Sequence, residues 1–161
     1  MLQTFSVPRP VTSDTVAWMV HFAKTGSADE RIRRSAEDAV RLVQPKNYLS
    51  EALATGKWVE TNIRYTKDPK RIERLAHPTI LLERRFGDCD EVSCLIAAQL
   101  LSLGHSADYV TVAFPGDADY SHVFARYLDS RTGQAVVLDP VAGAATAQML
   151  RRVKRFRRYA I

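Results

Sequence analysis

The chain has 161 residues, of which 46% are hydrophobic and 25% charged, and its formal net charge is +5. A chain of this size and composition can bury a core of its own without disulfide bonds or a structural metal. No apolar run reaches the length that crosses a bilayer, which argues against a membrane-spanning segment. The first ten residues lack the basic start and apolar centre of a signal peptide, and two unpaired cysteines suit a reducing compartment. We therefore expect a cytoplasmic location.

The first third of the chain is predicted to be helical. Capping residues and apolar positions at helical spacing recur there, and Pro45 interrupts the pattern. Three helices are expected, over about 15–24, 30–43 and 48–63, followed by a short fourth helix over 78–85.

The segment 87–91, Gly-Asp-Cys-Asp-Glu, is the most informative part of the sequence because it precedes a long apolar run. Asp88 is a good helix N-cap, and Glu91 follows it at the spacing of a capping box. The helix predicted over 88–103 is apolar on nearly every side, so we expect it to be buried. Cys89 then lies in the first turn, where the helix dipole and unpaired N–H groups favour a thiolate over a thiol.

A β-hairpin is predicted further along the chain. The segments 121–128 and 135–138 have the composition of strands, and turn-forming residues lie between them. With a turn centred near residue 131, His122 and Asp139 would face each other at the open end of the hairpin, with Cβ atoms about 4.5–5.5 Å apart. A register slip of one residue would place them on opposite faces of the sheet.

These motifs together resemble the transglutaminase-like superfamily in its compact bacterial form. The resemblance covers roughly 57–143 and rests on three segments: Gly87-Asp88-Cys89-Asp90-Glu91 on a helix, His122-Val123-Phe124 on a strand, and Leu138-Asp139-Pro140 at the end of the next strand. It implies an α+β fold with a papain-like core, in which N-terminal helices and a cysteine-bearing central helix pack on an antiparallel sheet. The resemblance also implies Cys89 as nucleophile, His122 as general base and acid, and Asp139 as the orienting carboxylate. It implies no metal cofactor.

The resemblance also concerns aromatic residues. Many family members carry Trp two residues after the histidine, where this chain has Phe124. An aromatic residue upstream of the cysteine often lines the cleft in the family, and Tyr65 or Trp58 could bind substrate there or could seal the edge of the core. Tyr120 and two aspartates lie in the loop 115–120, which either selects a basic or polar substrate or is a solvated turn.

Cys94 contrasts with Cys89. It lies five residues further along the same predicted helix, which turns it about 140° away and separates the two by ~7.5 Å along the axis. That geometry is poor for a disulfide, and a Cys-x4-Cys pair without a second ligand cluster is a poor zinc site. We expect Cys94 to be a core residue.

The positive charge of the chain is concentrated in its tail. Six of the eight residues from 151 to 158 are Arg or Lys, and the rest of the chain is close to neutral. Apolar residues recur within the tail at helical spacing, which predicts a basic amphipathic helix over 144–161: Met149, Val153, Phe156 and Ala160. Such a helix could meet nucleic acid, anionic lipid or an acidic protein surface, or it could dock with its basic face in solvent.

The sequence thus predicts one domain, with a helical part over 1–56, a catalytic core over 57–143 and the basic tail. The predicted function is that of a Cys-His-Asp hydrolase or acyltransferase that acts on an amide bond of a protein or peptide, as a peptidase or amidase. Water as the acceptor gives hydrolysis, and an amine gives cross-linking. Two other classes remain open: a catalytically degenerate binding or assembly module, of the type met in bacterial and phage genomes, and a nucleic-acid-associated protein that acts through the tail.

Overall fold

A computed structural model describes residues 4–7, 12–68 and 73–161. The helices of this part of the chain are α1 (Thr12–Ser27), α2 (Glu30–Val40), α3 (Tyr48–Asn62), α4 (Pro78–Arg84), α5 (Cys89–Ser102) and α6 (Thr146–Arg151). The strands are β1 (Thr4–Val7), β2 (Arg64–Tyr65), β3 (Glu73–Ala76), β4 (Phe86–Gly87), β5 (Ser106–Ala113), β6 (His122–Leu128), β7 (Ala135–Leu138) and β8 (Arg155–Ala160).

The main sheet has four antiparallel strands in the order β7-β6-β5-β8. One face of the sheet packs on α5 and belongs to the main core, which also contains buried residues of α1, α2 and α3. The other face carries a smaller apolar cluster that residues of α6 and its surroundings partly cover. The structure therefore confirms the predicted α+β fold, with a cysteine-bearing central helix packed on an antiparallel sheet.

Helix α5 is buried on all sides, as its sequence predicts. Its N-cap is Asp88, whose Oδ1 accepts the N–H of Glu91 at 3.3 Å. Gly104 follows the C-cap with a φ of +83°, a left-handed conformation that glycine adopts without strain. None of the described helices is both long enough and apolar enough to cross a membrane.

The tail does not form the predicted amphipathic helix over 144–161. After the short helix α6, residues 155–160 form β8, which pairs antiparallel with β5. The apolar residues of the tail fit a helical period, but β8 gains a ladder of backbone hydrogen bonds from β5, which lies far away in the sequence. Tertiary pairing thus overrides the local pattern, and the helical prediction holds only for α6.

The predicted hairpin is present, but its turn lies slightly later than expected. The N–H of Asp129 donates to the carbonyl of Gln134 at 2.8 Å, and four residues form the loop between them. Ala125 pairs with Leu138, so the same register carried one step further places Asp139 opposite Phe124. His122 and Asp139 are therefore diagonal neighbours on one face of the sheet, and the expectation that they stand directly opposite each other is wrong.

Candidate active site

Three hydrogen bonds position the carboxylate of Asp139 beside His122. The Nε2 atom of His122 lies 2.7 Å from Oδ2 of Asp139. The other carboxylate oxygen, Oδ1, accepts the backbone N–H groups of Val141 and Ala142 at 3.1 and 3.2 Å. An ionised carboxylate only accepts hydrogen bonds, so this contact assigns the proton of the neutral imidazole to Nε2 and leaves Nδ1 as the basic nitrogen.

Cys89 is the first residue of α5, and the backbone just before it is closely packed. A Cβ atom at Gly87 would lie 2.6 Å from Oε2 of Glu91 and 2.7 Å from Cδ1 of Leu81, so a larger residue would have to displace these two buried side chains. The buried carboxylate of Glu91 in turn accepts the N–H of Ala76 at 3.0 Å and forms an ion pair with Arg84. These contacts anchor the first turn of the helix and with it the thiol.

Val123 joins the cysteine helix to the histidine strand. Its backbone N–H donates to the sulfur of Cys89, and its carbonyl accepts the hydroxyl of Ser93 at 3.2 Å. Val123 directly follows His122, so these two bonds fix the start of β6 against the first two turns of α5.

A cavity of about 450 Å³ contains both Cys89 and His122 in its wall. Of the three residues expected to bind substrate, Tyr65 and Tyr120 line this cavity. Tyr65 reaches it because β2 pairs with β4 immediately before the cysteine. Trp58 lies elsewhere: its indole N–H donates to Oδ2 of Asp38 at 2.7 Å, between α3 and α2. Cys89 and His122 thus share one cavity with Tyr65 and Tyr120, and Asp139 contacts His122.

Several cavity residues have no counterpart in the sequence-based site. Thr111 of β5 and Met19 of α1 line the cavity, as do the carboxylates of Asp68, Asp88 and Asp90. Asp88 and Asp90 could have been recognised from the sequence, because they flank the cysteine and any charge beside a thiol affects its ionisation. No local signal identifies Thr111 or the residues of α1, because they reach the cavity through packing of distant elements.

The electrostatic environment of Cys89 opposes the expectation of a thiolate. Burial raises the pKa of the Cys89 thiol well above its ordinary value, and the negative charges of Asp90 and Asp88 raise it further. The thiol donates a hydrogen bond to Oδ1 of Asp90 at 3.4 Å. The helix dipole and the N–H of Val123 favour the thiolate, but desolvation and two carboxylates outweigh them. In the free protein Cys89 is therefore a thiol that needs a base.

Cys94 is a core residue, as predicted. It is fully buried, its thiol donates to the carbonyl of Met19 at 3.4 Å, and both cysteines are free. Burial raises the pKa of Cys94 to about 12.

Comparison with known proteins gives a family and a fold. The model of the transglutaminase-like superfamily matches residues 35–140, more than half of the chain. A similar solved structure is that of a Cytophaga hutchinsonii protein named "putative cysteine protease", with a TM-score of 0.58 and 12% identity over 94% of this chain and 53% of that one. Another, from Parabacteroides distasonis and named "putative protease", has a TM-score of 0.55 and 12% identity over 78% of this chain and 26% of that one.

The chain thus spans about half the length of the first of these proteins and about a quarter of the second. At 12% identity the likeness shows the fold alone. No curated protein matches the chain.

Proposed function

The chain belongs to the transglutaminase-like superfamily, and we propose that it is a cysteine hydrolase that cleaves an amide bond by means of Cys89, His122 and Asp139. One observation carries the proposal: Nε2 of His122 lies 2.7 Å from the fixed carboxylate of Asp139, and the same imidazole lines a cavity with Cys89. A nucleophile, a base and a group that orients the base are the three parts that covalent acyl transfer requires.

In the proposed first step, Nδ1 of His122 takes the thiol proton of Cys89 while the sulfur attacks the carbonyl carbon of the substrate. Because the pKa of Cys89 is raised, proton transfer accompanies the attack and does not precede it as a stable thiolate–imidazolium pair. Asp139 stabilises the imidazolium that forms. The oxygen that becomes negative is placed near the N–H of Cys89, which has no acceptor within its own helix because it belongs to the first turn.

In the second step the C–N bond breaks and the imidazolium donates its proton to the leaving amine, so that a thioester remains on Cys89. His122 then takes a proton from water, the water oxygen attacks the thioester carbon, and the C–S bond breaks. The thiolate recovers the proton from His122 as the carboxylic acid leaves. Water is the proposed acceptor because exposed residues, Lys67 and Ser121, border the cavity and admit solvent. A protein or peptide is the proposed substrate.

The decisive experiment is to trap the thioester. The protein is mixed with p-nitrophenyl acetate at pH 7, quenched in acid and digested, and the peptides that contain Cys89 and Cys94 are weighed. We expect an acetyl group on Cys89, its formation slowed at least about tenfold in His122→Ala, and none on Cys94. Acetylation of Cys89 that is as slow as that of free cysteine, and unchanged in His122→Ala, would contradict the proposal.

The raised pKa of Cys89 supports one alternative, a binding or assembly module that keeps the fold without the chemistry. In that case the slow, His122-independent outcome of the trapping experiment is expected. Affinity for another macromolecule would then survive in the Cys89→Ala variant.

A further inference from the structure

The cavity around Cys89 is acidic although the chain as a whole is basic. Four aspartates of the described part of the chain belong to its lining: Asp68, Asp88, Asp90 and Asp119. Among the described residues, the basic groups of the lining are His122 and the exposed Lys67. A cleft with low-dielectric walls concentrates ions opposite in sign to the excess charge of its lining. Aspartates outnumber lysine among the described lining residues, so this cleft favours cations.

The side chain of Asp119 has two neutral hydrogen-bond donors. It accepts the hydroxyl of Thr12 at 3.2 Å and the N–H of Tyr120 at 2.7 Å. Thr12 belongs to α1, so this bond also ties the loop before β6 to the opposite wall of the cavity. Asp119 is exposed, which places it where a substrate enters.

The negative potential acts on the ionisable groups of the cavity. Burial raises the pKa of Tyr65, and the negative charges of Asp88, Asp90 and Asp139 raise it further. Asp88 and Asp90 also contribute to the raised pKa of Cys89 itself. A positive charge that entered the cavity would oppose both effects.

Thr111 is an independent indication that the cavity binds a hydrogen-bond donor. It is 2% exposed, it lines the cavity, and its hydroxyl oxygen has no hydrogen-bond partner in the described part of the chain. On the sheet it pairs with Val123, whose N–H contacts the sulfur of Cys89. A buried hydroxyl without a partner is costly, and a bound N–H donor close to the nucleophile would satisfy it.

We propose that the cavity accepts substrates that carry an ammonium or guanidinium group close to the acyl carbonyl, with the carboxylates attracting the charge and Thr111 accepting one of its N–H groups. This inference rests on the proposed hydrolase function, since it assigns the substrate class of the same site. A cavity of about 450 Å³ has room for a lysine or arginine side chain or for the N-terminal residue of a peptide. A correct substrate would also lower the pKa of Cys89 and so assist its own attack.

Charged thiol reagents test the inference without a known substrate. Three methanethiosulfonates are compared, with sulfonatoethyl, trimethylammonium-ethyl and aminoethyl groups. The thiol of Cys89 loses its proton to His122 or water, and its sulfur attacks the sulfenyl sulfur of the reagent. A new S–S bond forms as the S–SO2 bond of the reagent breaks and methanesulfinate leaves, and mass spectrometry locates the product. For each cationic reagent, the ratio of its rate constant to that of the anionic reagent is measured at low salt. We expect this ratio to be at least about tenfold larger for Cys89 than for free cysteine. The gain should shrink at ~1 M salt.

Three variants assign the effect to residues. Asp119→Asn should lower the preference for both cations about threefold or more, whereas Glu37→Gln, an equal charge change on the exposed face of α2, should not change it. Thr111→Val should slow the aminoethyl reagent selectively, because a trimethylammonium group has no N–H to donate. Circular dichroism and thermal unfolding confirm that each variant is folded.

The outcomes separate the two proposals. In one outcome, Cys89 prefers cationic reagents no more than free cysteine does, but its acetylation depends on His122. This result overturns the substrate class and supports the hydrolase. In another outcome, Cys89 clearly prefers cationic reagents, but its acetylation rate is the same in His122→Ala. This result overturns the hydrolase and supports a cation-binding cleft. A Cys89 that none of the reagents modifies overturns both.

Discussion

The first turn of α5, residues 88–91, and the rest of the helix, residues 92–102, differ in what surrounds them. The first turn is polar, and Asp88, Cys89 and Asp90 border a cavity. The rest is apolar and closed, with Leu95 and Ile96 fully buried in the core. The two cysteines show the contrast within five residues, since one borders the cavity and the other has no exposed surface. The body of the helix therefore supplies stability and position, and the first turn supplies chemistry, so substitutions in the two parts should have separable effects.

The largest effect is expected at the cysteine of the first turn. Cys89→Ala should lower the rate of p-nitrophenyl acetate hydrolysis about 10³-fold or more, to the uncatalysed level, because no nucleophile remains. Its free energy of unfolding should stay within about 0.5 kcal/mol of wild type. Cys94→Ala is the matched control and should keep the activity. A Cys89→Ala variant that loses both stability and activity would show that the first turn of α5 contributes to stability as well as to chemistry.

The next effect belongs to the body of the helix. Leu95→Ala should lower the free energy of unfolding by about 2–5 kcal/mol, because it leaves a cavity in a fully buried core. Under conditions where the variant is fully folded, its acetylation rate should stay within about threefold of wild type. Denaturant titration measures the first quantity and the trapping experiment the second. A loss below about 1 kcal/mol would show that the body of the helix is not the stabilising part.

Asp139 extends the comparison to the partner strand. Asp139→Asn should slow acetylation of Cys89 about 10²-fold or more, because a neutral amide cannot stabilise the imidazolium and favours a different tautomer of His122. Asp129→Asn, at the closed end of the same hairpin, is the matched control and should leave the rate unchanged. Equal rates in wild type and Asp139→Asn would mean that the 2.7 Å contact is structural only.

Glu91 lies at the boundary between the two parts of α5 and should make stability depend on pH. Burial, with the charge of Asp88, raises its pKa to about 7, against 4.5 for an unperturbed group. Below pH 4.5 the carboxyl is protonated in both states, whereas between 4.5 and 7 only the unfolded chain ionises. The stability of wild type relative to Glu91→Gln should therefore be greatest in acid and fall as pH rises through 7, by on the order of 1–3 kcal/mol. Urea titrations over this range test it, with Glu37→Gln expected to follow wild type.

The parts of the fold that short-range signals specify were predictable from the sequence. The cap at Asp88, the apolar run and Gly104 define α5 with its buried environment. The hairpin follows from two strand-like segments around a turn. Its register differs from the prediction because composition does not fix where within the turn the chain reverses. His122 and Asp139 still share a face, since the shift preserves the alternation of side chains.

The parts that depend on distant contacts were not predictable. β8 forms because β5 offers it hydrogen bonds, which the spacing of apolar residues in the tail cannot reveal. The thiol of Cys89 illustrates a different limit, since its position in the first turn was predicted correctly but the balance of forces on it was not. Burial depends on α1 and β6 closing around the sulfur, and the capping aspartate adds a charge beside it.

β8 also determines which edge the sheet presents to other molecules. In its absence β5 would be an edge strand, whose residues 107–113 are all buried side chains and whose backbone groups could pair with a second chain. β8 covers that edge and replaces it with a strand that carries Arg155, Arg157 and Arg158. Two such strands repel each other, and charged edge strands are a common protection against the growth of a sheet from one molecule to the next. The arginines of the tail therefore disfavour edge-to-edge pairing of two molecules through β8.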